Sequence, residues 1–108
     1  MKKITKAALT RMTKKAENGD ADAQFHLANV HCYGTAVGVT QDRSKAFEWA
    51  EKAALQGHTE ALFFVGDALL WGKGVASDQA KALKMLDKAA SQGCPNAYHT
   101  IKNINPNT

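Results

Sequence analysis

What most constrains this chain is that it says nearly the same thing twice. GDADAQFHLANVHCYG, Gly19 to Gly34, aligns with GHTEALFFVGDALLWG, Gly57 to Gly72, at a step of 38. Downstream, KAFEWAEKAALQG, Lys45 to Gly57, aligns with KALKMLDKAASQG, Lys81 to Gly93, at a step of 36. The difference falls in one place, YGTAVGV against WGKGV, and reads as a loop insertion, where added length costs little closure entropy. A period in this range marks helical solenoids, in which no hairpin buries its apolar face alone and stacked neighbours complete the core.

Apolar residues recur at three and four within each unit, and the turns carry glycine, so each copy reads as two helices. The spacing predicts an A helix over 21–33 and a B helix over 43–56, then an A helix over 59–71 and a B helix over 79–92. Gly19, Gly57 and Gly93 stand where a helix-ending residue of positive φ is wanted, and Asp42 and Asp78 suit the caps of the B helices. Ala8, Leu9, Met12 and Ala16 fall on Ala46, Phe47, Ala50 and Ala54, so residues 4–18 read as a degenerate B helix. Pro95, tolerated in a first helical turn, opens a degenerate A helix ending at Asn103. The expected fold is all-α: an α/α superhelix of two hairpins flanked by a half-repeat helix at each end. One domain covers 1–108, divided into 4–18, 19–56, 57–92 and 93–103, with a tail over 104–108.

Small residues set how closely such helices approach. Ala23, Ala28, Ala46, Ala53 and Ala54 in the first copy, with Ala61, Gly66, Ala82, Ala89 and Ala90 in the second, mark the crossings. Leu27, Phe47, Trp49, Val65, Leu83 and Met85 are the expected fillers between them.

These residues carry a family resemblance. Asp42, Lys45, Ala46, Trp49, Lys52, Ala53, Ala54 and Gly57 match, without a gap, the second half of the Sel-one-like repeat (SLR), a relative of the tetratricopeptide repeat. Gly66, Gly72, Gly74, Val75, Asp78, Lys81, Ala82, Lys88, Ala89, Ala90 and Gly93 match in the second copy. The chain resembles that family over about residues 15 to 98. It departs where the usual tyrosine of helix A is His31 or Leu69, and where the usual tryptophan of helix B is Met85. A cysteine-rich branch of the family staples its hairpins through paired cysteines. Neither copy here has that pair, and a bridge from Cys32 to Cys94 would have to join opposite ends of the stack.

The formal charge of +4 is uneven. Residues 1–17 hold Lys2, Lys3, Lys6, Arg11, Lys14 and Lys15 against Glu17, which leaves the rest of the chain nearly neutral. No aromatic-plus-basic motif accompanies that cluster, so a solvated helix face is favoured over a nucleic-acid surface, which stays as an alternative. Lys6 and Arg11 interrupt any secretory apolar stretch, and no run is long enough for a membrane span, so the expected location is cytoplasmic. His26, His31, His58 and His99 show no metal-binding or nucleophile-activating spacing, and GKGV at Gly72–Val75 lacks a full phosphate loop. The expectation is therefore a non-enzyme with no cofactor and no metal. His31 reads as a half-buried packing residue and His58 as a turn residue.

What remains is a surface. In solenoids of helical hairpins the A helices line a concave face, and its residues not used for stacking are free for a partner. By the register of the resemblance these are Asp22, Phe25, Asn29, Cys32 and Tyr33, then Glu60, Phe63, Asp67, Leu70 and Trp71, then Asn96 and His99. Rings would supply buried area, while Asn29 and Asp67 would orient a peptide; the competing reading of Phe25 and Phe63 is packing between A helices. The resemblance implies a protein-binding adaptor or scaffold, of a kind frequent in bacteria. The alternatives are a dedicated immunity or regulatory protein for one toxin or enzyme, and a homodimer formed through an exposed end.

Overall fold

The computed structural model describes residues 3–104, so Lys2 and the last four residues of the expected tail lie outside it. Six helices follow in order: α1 Lys6–Glu17, α2 Ala21–Tyr33, α3 Arg43–Leu55, α4 Thr59–Trp71, α5 Gln79–Ser91 and α6 Pro95–Ile104. Each packs chiefly against its neighbours in sequence, most extensively within the hairpins α2–α3 and α4–α5, and the molecule is drawn out to 49 × 24 × 23 Å. That is the solenoid expected. Among the described residues no helix is long and apolar enough to cross a membrane.

The punctuation has the expected chemistry. The carboxylates of Asp42 and Asp78 accept from the Lys45 and Lys81 amides at 3.1 Å, and Asp20 and Thr5 do the same for α2 and α1. Such caps contribute about 1 kcal/mol each. Gly19, Gly57 and Gly93 have φ of 99°, 84° and 94°. The B helices stop one residue before the expected end because Gln56 and Gln92 leave the helix as caps, and their side chains tie successive turns together. Gln56 Nε2 donates to Gly19 O at 2.9 Å and to Gln24 Oε1 at 3.0 Å, and Thr59 donates to Gln92. At the C-terminal end α6 takes in Ile104, assigned above to the tail.

The small-residue crossings are where the register puts them. Ala28, Ala46, Ala53, Ala61, Ala82 and Ala89 have no exposure, whereas Ala90 is only half-buried. The fillers need correction. Leu27, Phe47 and Val65 are buried, but Trp49, Leu83 and Met85 are half-buried flank residues. Leu62, Leu69 and Leu86 fill the centre instead. Leu86 stands where the first copy has Ala50, and it is accommodated because Gly66 stands where the first copy has Ala28. A Cβ on Gly66 would lie 2.8 Å from Leu86 Cγ and 2.9 Å from its Cδ2.

The insertion is not idle. Aligning Gly38 with Gly74, whose φ are 78° and 79°, identifies Ala36 and Val37 as the added pair. Ile4 donates to Thr35 O at 2.8 Å and accepts from Val37 N at 2.9 Å. The resulting parallel bridge to Ala36 is the only β-type pairing among the described residues. The longer loop thus holds the segment before α1, which is why that helix starts at Lys6 and not at residue 4.

Gly66→Ala should destabilise through overpacking by about 1–3 kcal/mol, less roughly 1 kcal/mol of gained helix propensity. Combined with Leu86→Ala, which recreates the first copy's pair, it should cost less than the sum of the two single changes in urea titrations. Deleting Ala36 and Val37 should abolish hydrogen-exchange protection of the Ile4 amide while leaving α4 and α5 as protected as before.

Candidate functional site

The A helices α2, α4 and α6 run side by side, and a groove of about 450 Å³ opens between α2 and α4. Of the residues expected to face a partner, Phe25, Cys32, Tyr33, Glu60, Phe63, Asp67 and Asn96 border it. Leu70 and Trp71 border a neighbouring hollow of about 470 Å³ between α4 and α6, which shares Asp67. Asp22 borders a third hollow with Arg11, Lys15 and His26. Asn29 is half-buried and borders none of the three, and His99 is exposed on α6 against the Tyr98 ring, so neither joins the groove.

Six groove residues escaped the sequence reading: Arg43, Phe64, Lys73 and Cys94, with the buried Ala46 and Ala68 behind them. Arg43 belongs to a B helix, and its backbone lies under Gly74, where a Cβ would come within 2.5 Å of Arg43 C and O. Only glycine allows that loop to settle so close to the start of α3, where Arg43 borders the groove. Lys73 sits in the loop after α4 and pairs with Asp67 at 3.1 Å, both partly solvated, so the pair contributes little stability.

Phe25 is a packing residue as well as a lining one. Its ring lies 5.0 Å from that of His58 and meets Phe64 edge-on at 6.2 Å, which holds α2 against α4. His58 is more than a turn residue. Its Nδ1 accepts from the Ala61 amide at 3.2 Å as the cap of α4, which leaves the proton on Nε2 to donate to Asp22 Oδ1 at 2.9 Å. Asp22 is thus held by the next repeat. Tyr33 and Trp71, equivalent last residues of α2 and α4, are 68% and 64% exposed. Cys32 and Cys94 are free thiols on the same groove, one from the last turn of α2 and one from the residue before α6.

The basic N-terminal residues Lys3, Lys6, Arg11, Lys14 and Lys15 are all exposed, and Arg11 and Lys15 face a hollow they share with Asp20 and Asp22. Among the described residues no three His, Cys, Asp or Glu side chains are grouped to hold a metal ion. His31 is half-buried, as expected. Burial, reinforced by the Lys45 ammonium and opposed by Asp42, holds its imidazole below the ordinary histidine pKa.

A model of the Sel1 repeat matches residues 21–58 and 59–94. No curated protein sequence matches the chain. Among solved structures, a Sel1 repeat protein from Oxalobacter formigenes is similar at 32% identity and a TM-score of 0.84, over 89% of this chain and 71% of that one. A protective antigen of uropathogenic Escherichia coli with an SLR fold is similar at 27% identity and 0.82, over 91% of this chain but 21% of the antigen. Cysteine-rich protein B of Helicobacter pylori shares the fold at 22% identity and 0.80, over 87% and 69%.

The direction of the His31 shift sets a pH dependence. Because the folded pKa is depressed, the unfolded chain takes up the proton first as pH falls. The stability His31 contributes is full above the ordinary histidine range and is lost as pH drops through the lowered folded value. As pH rises through the ordinary histidine range the melting temperature should rise, and His31→Leu, which follows Leu69 of the second copy, should flatten that rise in calorimetric scans.

Proposed function

The chain belongs to the Sel1 repeat family, whose members generally serve protein–protein interaction, and from that premise we propose a non-enzymatic adaptor or scaffold that binds another protein through its A helices. The observation that carries this reading is the repeated exposure of a large ring at the end of an A helix. Tyr33 and Trp71 stand in equivalent positions, each beside a hollow floored by half-buried apolar residues. Tyrosine and tryptophan are enriched where interfaces concentrate their binding energy, because each brings a large rigid area at small entropic cost. Asp67, shared by both hollows, would orient what lies across them.

Phe63 is the obvious residue to remove, but it is half-buried against the core, so its loss mixes stability with binding. Tyr33→Ala with Trp71→Ala is cleaner. Exposed positions of this kind change stability by about 0.5 kcal/mol or less. Affinity capture from the native host with the parent and double-variant proteins, read by mass spectrometry, should show a partner retained by the first and lost from the second. The variant's melting temperature should stay near that of the parent. Equal capture by both proteins would refute the reading.

A further inference from the structure

The two copies differ at one end of the groove in a way that packing does not explain. Asp22 is held by His58 of the next repeat. The equivalent pair one repeat on is Glu60 and Cys94, and a thiol cannot hold a carboxylate as an imidazole does. Glu60 is exposed, borders the groove and has no ion-pair or hydrogen-bond partner among the described residues. At the opposite end, past the last turn of α4, Arg43 borders the same groove and is likewise without an ion-pair partner among the described residues. The Phe25, Phe63 and Phe64 rings line the same groove, as do Asp67 and Lys73, which pair with each other. Unpaired charges of opposite sign thus bracket an apolar floor.

Dimensions decide what fits. Glu60 and Trp71 are eleven residues apart on α4, so that helix offers about 16 Å along the groove. A volume of about 450 Å³ over that length leaves a mean cross-section of about 28 Å². A helix with its side chains is about 10 Å across and needs roughly 80 Å², or about 40 Å² when only one face is seated. An extended chain occupies about 48 Å², and about half of that when only one face is seated. At a rise of about 3.3 Å per residue, the first and fifth of five extended residues stand about 13 Å apart, within side-chain reach of charges at either end of that length, and the first, third and fifth side chains point the same way.

Resting on the reading above, that the A-helix side receives a protein, we propose that this groove binds an extended segment of the partner with a lysine or arginine at one end, a large apolar residue two positions on, and an aspartate or glutamate two beyond that, in either chain direction. Glu60 takes the base, Arg43 takes the acid, and the rings take the central side chain.

Selection of a phage-displayed random heptapeptide library on the full-length protein tests this. Enriched sequences should carry opposite charges four positions apart around an apolar residue. A synthetic peptide made from them should bind Glu60→Gln and Arg43→Gln about fivefold more weakly, and bind the parent more weakly as salt rises. Glu60→Lys should prefer the same peptide with its basic residue changed to glutamate. Both positions are exposed, and unchanged melting temperatures serve as the folding control. Enrichment of apolar peptides without the charge bracket, bound equally by Glu60→Gln and Arg43→Gln yet lost with Tyr33→Ala, overturns this inference and leaves the protein-binding reading standing. No enrichment beyond that given by Tyr33→Ala overturns both.

Discussion

Everything in this molecule depends on how closely the B helices are allowed to approach the A helices. Ala28, Ala46, Ala53, Ala61, Ala82 and Ala89 are fully buried and carry a single methyl each, so the helices meet nearly backbone to backbone. Close approach removes water from short helices that have few large side chains to bury, and dispersion over many short contacts compensates for the small apolar area of each residue. Tight crossings between sequence neighbours also align successive A helices on one side. The grooves there are a by-product of the alanines behind them.

Within that constraint the two copies reach the same geometry differently. The first uses Ala28 and Ala50, and the second uses Gly66 and Leu86, so the methyl absent from one helix makes room for the larger side chain on the other. Close packing penalises a Cβ placed at Gly66 while Leu86 remains. The loop after each A helix varies for the same reason. The second copy's short loop settles on Arg43 through Gly74, while the first copy's longer loop reaches Ile4 and closes the stack at its N-terminal side.

Most of the architecture was legible in the sequence, because repeats, caps and turn glycines are local signals. The starts of α2, α3, α4, α5 and α6 fall where the spacing put them, and Asp42 and Asp78 cap as their residue types require. What was not legible depends on pairs distant in sequence. Leu83 and Met85 have the residue type of core and lie on the flank, since the centre of that crossing belongs to Leu86 only when Gly66 faces it. At the groove, seven expected residues come together, but Arg43 was missed because the register assigns B-helix residues to the opposite side. Asn29 and His99 share that register with groove residues yet do not line it, since register gives a face and not a depth.

The most informative series is the residue just before each A helix: Asp20, His58 and Cys94. Each has a different hydrogen-bonding capacity, and for His58 and Cys94 that difference decides what happens to the acid at the second position of the preceding A helix. A carboxylate such as Asp20 only accepts, so it caps α2 and can hold no second acid. An imidazole accepts at one nitrogen and donates from the other, so His58 caps α4 and fixes Asp22 together. A thiol is weak at both, so Cys94 leaves Glu60 facing solvent in the groove. His58 and Cys94 occupy the same place in the stack. A carboxylate therefore passes from structural tie to solvent-facing group through one side chain on a neighbouring helix, with no change in the fold that presents it.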